Sequence, residues 1–108
     1  MGSEKKRPPA FRDRPLGSLD ELVASHFPDA QSGVIVRRLW QALEAAFSLD
    51  LRGLQPGDRA EDIVGDLDSI TAVELIVAID LPDLTAFGDR PPGEISFREL
   101  VELFRSRA

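Results

Sequence analysis

The chain has 108 residues, 43% of them hydrophobic, and no cysteine, which fits one ordinary domain with a core and excludes disulfides and thiolate metal sites. Its net charge of −6 disfavours nucleic acid and anionic membranes as partners and favours basic protein surfaces. No apolar run approaches the ~20 residues of a membrane span, and Glu4-Lys5-Lys6-Arg7-Pro8-Pro9 has none of the apolar character of a secretory signal, so a cytoplasmic monomer is expected.

The charge is unevenly spread. Residues 1–15 hold Lys5, Lys6, Arg7, Arg12 and Arg14 against Glu4 and Asp13, a net of +3, so the remainder carries −9. Basic, rich in proline and without periodicity, residues 1–15 read as a disordered tail. Residues 16–32 read as an extension with one short helix. Ser18-Leu19-Asp20-Glu21 is a capping box, and Leu19, Leu22, Val23 and Phe27 share a helical face over about 18–26 until Pro28 intervenes. His26, the sole histidine, reads as a surface or helix-end residue.

The domain proper is placed at 33–108. Ile35, Leu39, Leu43 and Ala46, flanked by Val36, Trp40 and Phe47, predict a helix over 33–48 with Trp40 at the edge of the core. A long connection over 49–68 comes next, punctuated by Gly53, Pro56, Gly57 and Gly65; loops of that length in small domains are usually functional. Residues 69–80 predict a helix apolar on nearly every side, stopped by Pro82. Residues 81–95 read as irregular, with at most a turn near Leu84–Phe87. Ser96-Phe97-Arg98-Glu99 is a second capping box, and Phe97, Leu100, Val101 and Phe104 give a final helix over 96–106. No strand pattern appears, so the fold class is all-α.

Three main helices with a long first loop resemble the acyl carrier protein fold, and the resemblance becomes specific at Asp68-Ser69-Ile70-Thr71-Ala72-Val73-Glu74-Leu75. The family's pattern around its modified serine is Asp-Ser-Leu, two variable residues, then Val-Glu-Leu; isoleucine after the serine also occurs in its peptidyl carrier relatives. The resemblance covers about residues 33–106 and implies an acyl-carrier-like bundle. It further implies a phosphopantetheine arm on Ser69, with Asp68 presenting the site, and Ile70, Val73 and Glu74 contacting partner enzymes. Those partners would be a phosphopantetheinyl transferase and acyl-loading and acyl-transfer enzymes with basic surfaces. Pro82, the segment Gly88-Asp89-Arg90-Pro91-Pro92-Gly93 and the N-terminal extension depart from the family pattern. They imply a specialised carrier, in fatty-acid, lipid or polyketide-type metabolism.

The chemistry of the residues agrees with that role. A serine on the first turn of a helix is reachable by a transferase, and a phosphodiester there would lie beside free backbone N–H groups and the positive end of the helix dipole. The same stretch also reads as an ordinary capped helix start, Thr71 with Glu74 being a capping box themselves. This leaves a second function class open: an unmodified carrier-like module for protein–protein interaction. Enzyme classes find little to stand on, with one histidine, no Gly-rich phosphate loop and no metal-ligand spacing. The acidic run from Asp58 to Asp68 lacks the order of a calcium loop.

Overall fold

The computed structural model describes residues 5–65, 69–79 and 89–107. They form an all-α domain of five helices: α1 (Leu19–His26), α2 (Ala30–Phe47), α3 (Ala60–Val64), α4 (Ser69–Ala78) and α5 (Phe97–Arg107). Two single-turn 3₁₀ helices, Pro9–Phe11 and Pro92–Glu94, supplement them. Extended pairing among the described residues is confined to two isolated bridges, Lys6 with Leu49 and Arg59 with Ser96.

Three of the helices begin where a side chain satisfies an otherwise free backbone N–H. At α1 the Ser18 hydroxyl accepts from the Glu21 amide at 3.2 Å. The Asp29 carboxylate accepts from the Ser32 amide at 2.9 Å, which starts α2 three residues ahead of the expected position 33. At α5 the box is reciprocal: the Glu99 amide donates to the Ser96 hydroxyl and the Ser96 amide to the Glu99 carboxylate.

α2 is the central helix, packing on α1, α4 and α5. It buries Ile35, Val36, Leu39, Trp40 and Leu43. α1 crosses it closely at Gly33, where a Cβ would stand 3.3 Å from Val23 Cγ1. From α5, Phe97, Leu100 and Val101 enter the same core, and Phe97 meets Phe27 edge to face at 6.2 Å.

Two expectations need correction. The connection after α2 contains a helix: Leu49, Leu51 and Leu54 are buried along it, and α3 then buries Ala60 and Ile63 before Gly65 ends it at φ 84°. Five residues carry too little periodicity to announce themselves against the surrounding glycines. The disordered tail expected over 1–15 does not hold for residues 5–15. Lys6 bonds the backbone of Ser48 and Asp50 at 2.8 Å each, and Phe11 is completely buried. The Arg7 guanidinium donates to the carbonyls of Phe11, Arg14 and Arg52. Composition alone counts these arginines as solvated charge, whereas here they are hydrogen-bonded internally. Because Phe11, Leu22 and Phe27 belong to the same buried cluster as α2, α4 and α5, position 33 is no boundary in the core. The expected helix stop at Pro82 and the turn near Leu84–Phe87 lie outside the described residues, as do residues 1–4.

Candidate functional site

α3 is held from two sides before the chain reaches the motif. The Pro9–Phe11 turn and the Pro92–Glu94 turn both pack on it. Its first amide, from Ala60, donates to the Ile95 carbonyl at 2.8 Å. The Asp62 carboxylate accepts from the Arg59 amide at 3.1 Å. After Gly65 comes a stretch that includes Asp68, outside the described residues, and Ser69 is the first residue of α4. An N–H at that position has no partner within its own helix, and the dipole there favours negative charge. These are the backbone features a phosphodiester needs, so the helix start fits the group that the sequence suggests.

α4 divides its apolar residues between two faces. Leu75 and Ile76, with Ile79 just beyond the helix end, are buried against the core. Ile70, Val73 and Val77 are 71%, 52% and 73% exposed. Their spacing of i, i+3 and i+7 sets them in one stripe, and exposed Glu74 lies on the same side. Thus the suggested partner-contacting residues Ile70, Val73 and Glu74 come together on the solvent face. Val77 extends the stripe beyond the residues that the motif singles out. Its seven-residue spacing from Ile70 is visible in the sequence, but an all-round apolar helix does not say which side will be covered.

A narrow cleft of about 80 Å³ lies between α2, α4 and α5, lined by Ile35, Leu39, Ala42, Ala78, Ile79 and Phe104 with Arg38 beside them. His26 is exposed at the end of α1, and Trp40 is a core residue. No helix among the described residues is long and apolar enough to cross a membrane.

Three ion pairs tie down loops and helix starts around the core. Asp50 accepts from the Arg52 guanidinium at 2.8 and 3.0 Å, which holds its carboxyl down at about 2. Arg90 bonds Glu99, lowering the Glu99 carboxyl below its usual range. Arg14 grips the buried Asp58, and that bond raises the arginine above its ordinary value.

Compared with known proteins, the chain matches no protein-family model, no curated protein and no solved structure.

Proposed function

We propose that this protein is an acyl carrier, non-catalytic in itself, that holds acyl thioesters on a phosphopantetheine arm attached to Ser69. The observation that carries the reading is the coincidence of two things at one place. The eight-residue carrier motif runs from Asp68 to Leu75, and its serine is the first residue of a helix whose outer face presents Ile70 and Val73 to solvent. An ordinary core helix would bury such side chains, since each exposed one forgoes roughly 1.5–3 kcal/mol of burial.

In this reading the arm supplies a thiol on a long tether, and the chain supplies placement and recognition. Ser69 provides the hydroxyl, the start of α4 turns the positive end of its dipole toward the phosphate, and Asp68 presents the site to the transferase. Ile70, Val73 and Glu74, joined by Val77, form the contact face for a phosphopantetheinyl transferase and for acyl-loading and acyl-transfer enzymes with basic surfaces. The all-α arrangement, with α2, α4 and α5 around one core and a long connection before Ser69, supports an acyl-carrier-like bundle. The integrated N-terminal segment supports specialisation of the carrier; its place as a cytoplasmic monomer in fatty-acid, lipid or polyketide-type metabolism is part of the same proposal.

Co-expression with a broad-specificity phosphopantetheinyl transferase, followed by intact-mass measurement, tests the reading. Wild type should gain the mass of the arm and Ser69→Ala should not. Wild type that stays unmodified with several transferases sinks the carrier reading, and a gain that survives Ser69→Ala sinks the site. A second reading, an unmodified module that binds a partner through α4, is favoured by the stripe of Ile70, Val73 and Val77, which needs no arm to be useful.

A further inference from the structure

Residues 5–17 meet the connection between α2 and α4 at three separate places, and Lys5 also pairs with Glu44 of α2 at 3.2 Å. At one end the backbone of Lys6 pairs with the chain at Ser48–Asp50. In the middle, Phe11 is fully buried and its turn packs on α3. At the other end, the Arg14 guanidinium makes a two-pronged contact with the Asp58 carboxylate, at 2.6 and 2.9 Å, and reaches the Gly53 carbonyl at 3.3 Å. Gly53 itself lies under the segment. Its amide donates to the Gly17 carbonyl, its φ is +98°, and a Cβ there would come within 3.0 Å of the Pro15 carbonyl oxygen.

Asp58 sits where three parts of the chain meet. Its carboxylate also accepts from the Gln55 amide at 2.8 Å, and its backbone carbonyl accepts from the Phe97 amide that opens α5. Only 5% of Asp58 is exposed, so Arg14 neutralises it away from water. Two residues later α3 begins, and its end at Gly65 is four positions before Ser69.

We propose that residues 5–17 form a strap that fixes the connection over 49–65, with Arg14 and Asp58 as its latch, and that this latch positions Ser69 for the enzyme that modifies it. Arg14 and Asp58 are positioning residues, acting on the connection that leads to Ser69. The link to Ser69 rests on the carrier function proposed for that serine; the strap does not. Two of the arginines that give the segment its basic character are therefore holding devices, with Arg7 fastening the strap to itself and to Arg52 while Arg14 fastens it to Asp58.

Hydrogen–deuterium exchange on the full chain tests the strap, with wild type, Arg14→Met and Arg14→Lys compared. Arg14→Met should speed exchange across 49–65 by roughly tenfold or more beyond whatever change the amides of α2 and α5 show. Arg14→Lys, which keeps the charge and loses the fork, should fall between the two. Unchanged exchange over 49–65 overturns the strap, and so does a uniform loss of protection through α2 and α5, which would make Arg14 only one contributor to global stability. The same three proteins are then given the arm by a transferase. Slower loading of Arg14→Met, partly restored in Arg14→Lys, supports the positioning of Ser69. Equal rates despite a loosened connection overturn it. A wild type that accepts no arm overturns the carrier reading and the positioning with it, while the exchange pattern still decides the strap.

Discussion

Arg14 and Asp58 are 44 positions apart in the chain and share two hydrogen bonds of 2.6 and 2.9 Å in a largely dry setting, with side chains 24% and 6% exposed. Breaking such a pair from one side leaves a charge buried without a partner, which costs more than the pair itself contributes. Arg14→Met should therefore lower the unfolding free energy by about 3 kcal/mol. Arg14→Met with Asp58→Asn should cost clearly less than the sum of the single changes, because no charge is then stranded. Urea denaturation of the four proteins checks this, and additive losses would contradict the coupling.

Phe11 is an aromatic anchor in a segment with no other buried apolar side chain of its size. Phe11→Ala should destabilise by about 3–5 kcal/mol, visible as a lower melting temperature. A change within experimental error would mean that the segment can leave the body freely.

Gly53 offers a more local probe of the same contact. Its positive φ and the nearness of Pro15 leave no room for a methyl group, so Gly53→Ala should cost about 1–3 kcal/mol. Gly57, at which an added Cβ meets nothing within 4 Å, serves as the control: Gly57→Ala should leave the urea midpoint nearly unchanged.

The exposed stripe on α4 predicts a dissociation of stability from function. Val73→Asp and Val77→Asp alter side chains that are 52% and 73% exposed, so each should change stability by only about 0.5 kcal/mol. Each should nevertheless slow loading by a phosphopantetheinyl transferase or weaken partner capture, measured by mass or by titration. Full activity of both variants would remove the stripe from the recognition face.

Acid should weaken the fold through three carboxylates. Arg52 holds Asp50 at about 2, and Asp29 and Glu99 are lowered by the Ser32 amide and by Arg90 respectively. Each has a folded value below its unfolded value near 4, so its contribution is complete above pH ~4 and fades as pH falls through the folded value. The urea midpoint should thus decline between pH ~4 and ~2, and Asp50→Asn should reduce the decline. An identical slope in the variant would show that the Asp50–Arg52 pair, only two residues apart, persists in the unfolded chain.

What the sequence determined by itself is everything that depends on neighbours along the chain. The caps at Ser18 and Ser96 act over three residues, and the stripes of α2 and α5 repeat within seven. The helix after Asp68 and its serine motif are equally local, which is why they can be read directly. The tertiary structure alone decided the rest. Phe11 is a single apolar residue among charges and prolines, and nothing near it announces a buried slot made by α3. Arg14 and Asp58 meet across a fold that has to form first. On α4 the sequence shows apolar residues all round; the packing of α2 chose Leu75 and Ile76 for the core and left Ile70, Val73 and Val77 in solvent. A helix has a period but no inside until another element covers one of its faces.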